Sequence, residues 1–201
     1  MKHINVLSKD TKLKKLILSV PTETLHKPGI HGDLREYLVS SIISQQLSTK
    51  VAKVIKERFL MLFKNKFPTN KAILKMEDEK LRSVGLSYQK LSYIKNIAQF
   101  FEEHKLNKKD WSEMDDVEIA KLLTQIKGVG QWTAEMVLMF GLCREDVFSP
   151  GDYGIQVAMK KLYKLNHEGK ELQQKMIHIA EKWRPYRSHA CLYLWAWKDK
   201  K

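Results

Sequence analysis

The residues best suited to chemistry lie between Ile126 and Gly154. The run Ile126-Lys127-Gly128-Val129-Gly130-Gln131-Trp132-Thr133-Ala134 sets two glycines around a valine, directly ahead of a helical pattern. Glycines here permit φ > 0 and a turn whose main-chain N–H groups face outward, with a new helix starting at once. Those donors and the positive end of the helix would hold a phosphate without reading any base sequence. Further on, Ser149-Pro150-Gly151-Asp152-Tyr153-Gly154 carries a carboxylate. An Asp in such a setting commonly does no more than cap a helix. Here the helix leaving the glycine turn leads straight toward the same loop, which aims Asp152 at whatever the turn holds. Capping and catalysis are compatible, since a helix dipole keeps the carboxylate ionised.

Apolar residues recur at helical spacing nearly everywhere and no segment alternates cleanly, so the expected fold is all-α, with two helical lobes. Val51, Val54, Ile55, Phe59, Leu62 and Phe63 mark one face of a long helix after Ser48, a good N-cap. A second follows Ser87 with Leu91, Ile94, Ile97, Ala98 and Phe101. Gly85 ends the short helix before it, where glycine relieves left-handed strain. Asp115 with Glu118 three residues on has the form of a capping box opening the helix that enters the glycine turn. Pro150 ends the stretch after the turn, Asp152 opens the next helix, and a last segment from Pro185 ends in Tyr193-Leu194-Trp195-Ala196-Trp197. The expected division is a terminal lobe from residues 1–34 and 142–201, and a central bundle, 35–141, ending in the helix-hairpin-helix. A cleft is expected between them.

Charge points to a partner. The 201 residues hold 36 Lys+Arg against 23 Asp+Glu, a formal +13, and a polyanion is the natural counterpart. A lysine-rich solvated surface would give the same count. Arg occurs only at 35, 58, 82, 144, 184 and 187, which suits diffuse backbone attraction better than bidentate base reading. Cys143 and Cys191, the only cysteines, sit in apolar helical stretches and read as reduced core residues. Without a Cys-x-x-Cys pair, a zinc ribbon and an iron–sulfur cluster are excluded. The seven histidines are scattered without metal-ligand spacing. Met1 to Val20 has no long hydrophobic run, so neither a signal peptide nor a membrane span is expected there. The expected location is cytoplasmic, at the nucleoid if the source is prokaryotic.

With both parts of the site set out, the chain resembles the helix-hairpin-helix DNA glycosylase superfamily. The Gly128-Val129-Gly130-Gln131-Trp132-Thr133-Ala134 hairpin is followed by a Gly/Pro-rich turn with an Asp, as in that family. Ile42-Ile43-Ser44-Gln45-Gln46-Leu47-Ser48, Leu81-Arg82-Ser83-Val84-Gly85-Leu86-Ser87 and Trp183-Arg184-Pro185-Tyr186-Arg187-Ser188 resemble its DNA-3-methyladenine glycosylase II branch. Together these motifs cover most of 35–197. The resemblance implies a compact form, without the N-terminal β-rich domain of the bacterial prototype, acting as a monomer on double-stranded DNA that carries alkylated bases.

It also implies roles. Relatives that cut the backbone have a nucleophilic Lys where this chain has Trp132, and an indole cannot form a Schiff base. A monofunctional hydrolase that leaves an abasic site is therefore expected. Asp152 would stabilise the oxocarbenium-like sugar and orient a water. The base would be flipped into a pocket of Trp132, Trp195, Met136, Tyr153 and Leu194, where a cationic purine gains roughly 0.5–2 kcal/mol over an indole. Met136 stands where the bacterial prototype has Tyr. Trp195 and Trp197 cannot both line the pocket, being two apart on a helix, and plain core packing is the alternative for each. DNA contacts would come from Gln45, Gln46, Ser48, Lys127, Gly128, Gly130, Thr133, Arg187 and Ser188. Gln46 is favoured to probe the gap left by the base; helix capping is the alternative for the two glutamines, and intramolecular pairing for Arg187 and Ser188. No catalytic cofactor is implied. A structural monovalent or divalent cation could sit on the carbonyls of Thr124, Ile126 and Val129. Two other readings stay open: a non-catalytic DNA-binding module in which Asp152 only caps, and a bifunctional glycosylase/lyase.

Overall fold

A computed structural model describes residues 2–25 and 33–200. It is helical throughout, with no strand among the described residues. The chain divides into two compact units, one of Met1–Gly29 with Leu138–Lys201 and one of Ile30–Val137. The seam expected after residue 141 thus falls at 137/138. The stretch Val137–Gly141 winds as a π-helix, and the Leu138 carbonyl accepts from the Arg144 main-chain N–H at 2.9 Å, tying it to the segment that follows. Residues 26–32, within the expected segment 1–34, lie outside the described residues.

Two helices, α1 (Lys2–Leu7) and α2 (Thr11–Ser19), come earlier in the chain than the Ile30–Val137 unit, which contains α3 (Leu34–Ser44), α4 (Thr49–Met61), α5 (Asn70–Lys75), α6 (Asp78–Ser83), α7 (Tyr88–Glu103), α8 (Asp116–Leu123) and α9 (Gln131–Met136). Side chains of Asp33, Ser48, Thr69, Ser87 and Asp115 accept from N–H groups of the first helical turn, so helix starts are set locally. Asp115 and Glu118 form a reciprocal capping box. Helix α7 is the hub of this unit and packs on α3, α5 and α6. Its Leu91, Ile94, Ile97, Ala98 and Phe101 are buried as the pattern required. On α4 the expected apolar face is wrong at one edge. Ala52, Ile55 and Phe59 point inward, whereas Val51 and Val54 are exposed: α4 packs chiefly on α3 and buries a narrow stripe.

The other unit holds α1 (Lys2–Leu7), α2 (Thr11–Ser19), α10 (Tyr153–Tyr163), α11 (Gly169–Ala180) and α12 (Arg187–Asp199). Helix α12 lies against both α10 and α2, burying Ala190, Cys191, Leu192, Tyr193 and Leu194. Asp10 ties the unit together. Its Oδ1 caps α2 through Lys12 and Leu13 N–H groups, while Oδ2 accepts from Tyr163 Oη at 2.6 Å, Trp183 Nε1 at 3.2 Å and Lys182 Nζ at 2.8 Å. Burial by itself would raise the Asp10 carboxyl, but the donors from Lys182, Tyr163, Leu13 and Trp183 outweigh it and hold its pKa at about 2. Cys191 is core as expected. Cys143 is not helical: it sits half-buried at φ 54° in the turn after the π-helix.

Candidate active site

Helix α8 ends at Leu123 with Thr124 as its C-cap, and the chain turns back on itself before α9 starts. The Val129 N–H donates to the Ile126 carbonyl at 2.9 Å, and both apolar side chains are buried. Lys127 and Gly130 are thereby left outside. Gly128 alone of the two glycines is left-handed, at φ +106°, and a Cβ there would lie 2.2 Å from Cγ of Tyr93. Gly130 is extended, at φ −91° and ψ 176°, and a Cβ added to it would meet nothing within 4 Å. It is the N-cap of α9 and contributes no side chain, so no side-chain cap covers the start of that helix. The Thr133 side chain is buried; only its main chain can meet a ligand at the surface.

Trp132 follows on the first turn of α9 and remains 44% exposed. It lines a concavity with Ser41, Ser44, Gln45 and Gln46, so residues some ninety positions apart in sequence come together. Gln46 is exposed and left-handed at φ 58°, and Ser48 is committed to capping α4. Met136, one turn after Trp132, is buried. The carbonyls of Thr124, Ile126 and Val129 all lie in the hairpin turn. Ile126 already accepts from Val129, which leaves it one lone pair for a cation.

The carboxylate belongs to the other unit. Asp152 caps α10, with Oδ1 accepting from the Ile155 N–H at 2.8 Å. The same oxygen accepts from Trp195 Nε1 at 2.8 Å. Asp152 is 9% exposed. Gly154 makes this indole contact possible: a Cβ there would come within 2.9 Å of Trp195 Cδ1 and 3.1 Å of Asp152 Oδ1. The Gln156 side chain donates to the Pro150 carbonyl at 2.9 Å and closes the loop. Trp195 also lies beside Phe140, at 5.9 Å between centroids, whereas Trp197 turns to Lys161. Tyr153 is 77% exposed, and Leu194 is fully buried in α12 and belongs to the core.

Arg187 and Ser188 pair within the chain. Arg187 grips Asp146, with Nε on Oδ1 at 2.8 Å and Nη2 on Oδ2 at 3.2 Å and on the main-chain carbonyl at 2.7 Å. Ser188 Oγ donates to the Arg144 carbonyl and accepts from the Val147 N–H. Both therefore anchor the 144–147 segment leading to the Asp152 loop. Sequence reasoning missed Asp146, Gly154 and Tyr93. The arginines that pair with Asp146 and the glycine that meets the Tyr93 ring lie more than thirty residues away, and no local pattern betrays them.

An exposed glycine turn opening a helix, an indole beside it, and a buried Asp at a helix start define the helix-hairpin-helix class of DNA-repair fold. Residues 39–185 match the HhH-GPD superfamily of base excision DNA repair proteins, and the chain belongs to that family. DNA-3-methyladenine glycosylase 1 of Schizosaccharomyces pombe is 32% identical over 197 residues, 96% of this chain and 85% of that protein. A Bacillus halodurans structure described as DNA-3-methyladenine glycosidase superposes with a TM-score of 0.78 at 35% identity, covering 97% of this chain and 88% of that one. The S. pombe 3-methyladenine DNA glycosylase solved in complex with abasic DNA gives 0.79 at 30%, covering 97% and 95%. The chain spans a little over half the length of two other curated relatives, 56% and 57%.

Proposed function

We propose that this protein is a monofunctional DNA glycosylase that removes alkylated purines, 3-methyladenine and 7-methylguanine among them, from double-stranded DNA, acting as a monomer in the first step of base excision repair. The observation that carries the reading is Asp152, a buried carboxylate at a helix start with an indole N–H on one oxygen, in a chain that also presents an exposed glycine hairpin. The names of the relatives and the abasic DNA in one of them support it.

The hairpin N–H groups grip a phosphate, and surrounding lysines supply attraction without sequence preference. Trp132 offers its exposed indole face to the extruded base. A purine methylated at N3 or N7 is cationic, so its departure as a neutral base needs little or no general acid. The C1′–N bond breaks with its electron pair going to the base, and the sugar is left oxocarbenium-like. Asp152 stabilises that cation and orients the water whose oxygen bonds to C1′; the water's proton passes to the carboxylate or solvent. Trp132 cannot form a Schiff base, so strand cleavage does not follow. Thr124, Ile126 and Val129 carbonyls would hold a hard structural cation that stiffens the hairpin.

The test is incubation with methylated DNA and measurement of free 3-methyladenine and 7-methylguanine. Asn caps a helix about as well as Asp, so Asp152→Asn separates the roles. Loss of base release with retained folding supports catalysis by Asp152; release by the variant at the wild-type rate rejects the role assigned to Asp152, and no release even by the wild type leaves a DNA-binding module with a capping Asp. A covalent adduct trapped by borohydride would instead establish a lyase.

A further inference from the structure

We propose that one flank of α7 is the positioning element for both turns that meet DNA in its unit, Lys90 holding the Gln45–Gln46 turn and Tyr93 with Asn96 holding the Lys127–Gly130 turn. The proposal rests on the glycosylase reading for what those turns contact.

Helix α3 ends at Ser44, and the carbonyls of its last turn and of the residue that follows need donors. Lys90 supplies them, with Nζ donating to the Ile43 carbonyl at 2.8 Å and to the Gln45 carbonyl at 2.7 Å. Partial burial pulls the Lys90 pKa below its usual value. The next residue, Gln46, adopts φ 58°, a conformation side chains seldom take. Lys90 therefore fixes the chain immediately before this left-handed residue, and Gln46 lines the concavity that holds Trp132.

Three residues along α7, the Tyr93 ring fills the space a Cβ on Gly128 would need. Its hydroxyl accepts from Gln89 Nε2 at 2.9 Å, which orients the ring. Three further on, Asn96 Nδ2 donates to the Lys127 carbonyl at 3.2 Å. Lys90, Tyr93 and Asn96 are half-buried beside the fully buried Leu91, Ile94 and Ile97. Because that inner face locks α7 into the core, the stretch from Lys90 to Asn96, about 9 Å along the helix axis, sets the spacing of the two turns.

Lys90→Met is the test, read by binding to a duplex holding a tetrahydrofuran abasic analogue over a range of salt, and by main-chain hydrogen exchange without DNA. About tenfold weaker binding is expected, with the slope of log K against log salt unchanged, faster exchange at 45–48 and unchanged exchange at 127–130. Asn96→Ala should give the mirror image, with exchange rising at 127–130 only. Lys90→Arg, which keeps donors and charge, should recover at least half of the loss on a logarithmic scale. If Lys90→Met does not fold, Lys90→Gln, which retains one donor group, takes its place. A slope shallower by about 0.9 would mean that Lys90 neutralises a phosphate itself, and unaltered exchange at 45–48 would mean that it holds nothing; either result overturns the proposal. Exchange needs no DNA, so a wild-type protein that releases no methylated base would sink the glycosylase reading while these data still decide the role of α7.

Discussion

The hairpin turn and the Asp152 loop are both short connections that open a helix, yet they are built in opposite ways. The hairpin buries its apolar residues, Ile126 and Val129, and leaves its main chain outside; Gly130 caps α9 with no side chain at all. The Asp152 loop buries its polar group and surrounds it with donors, from Ile155 and Trp195. Gripping a repeating backbone asks only for outward N–H groups and positive charge. Stabilising a transient cation asks for a charge that is already oriented when the bond breaks. Exposure therefore suits the first task and burial the second.

The largest expected effect breaks the comparison at its chemical end. Asp152→Asn should lower single-turnover base release by about a hundredfold or more, the range for losing one preorganised electrostatic group, while binding to abasic duplex stays within about threefold. Gly128→Ala attacks the other region. It combines a left-handed φ with a 2.2 Å approach to Tyr93, so thermal or denaturant unfolding should show a loss of about 3 kcal/mol. Asp10 sharpens the contrast, being a capping Asp in the same unit as Asp152 whose oxygens go entirely to protein donors. Its pKa of about 2 lies below the ordinary aspartate value of 3.8, so its contribution is present above pH 4 and is lost as pH falls from about 4 to about 2. Asp10→Asn should cost about 2 kcal/mol at neutral pH and flatten the acid limb of unfolding curves, with no change in the pH profile of base release. Trp195→Phe keeps a ring but removes the donor to Asp152; base release should fall about tenfold at unchanged affinity for abasic duplex. The smallest change is expected from Gly130→Ala, within about 0.5 kcal/mol of wild type in melting, since that glycine is neither left-handed nor crowded.

Much of this was legible in the chain because the signals are local. Ser48, Ser87, Gly85, the Asp115–Glu118 box and Asp152 all act within three or four residues, and each stands at the helix end where its type belongs. Val51 and Val54 misled for the opposite reason. Periodicity says that an apolar stripe exists, but only the neighbouring helix decides how wide a stripe is covered. Cys143 misled because a π-helical turn ends the helix early, and apolar composition carries no trace of that. The two glycines of the hairpin looked alike in sequence and proved different, one left-handed against Tyr93 and one open.

By itself the sequence determined an all-helical chain, its main helix starts, its basic charge, the hairpin and the carboxylate, since each depends on residue type and short-range spacing. Tertiary structure alone decided which indole reaches Asp152, that Arg187 spends its fork on Asp146, and that α7 carries both Lys90 and Asn96 to carbonyls dozens of residues away. Those pairings join groups distant along the chain, and only packed helices bring their atoms within hydrogen-bond reach.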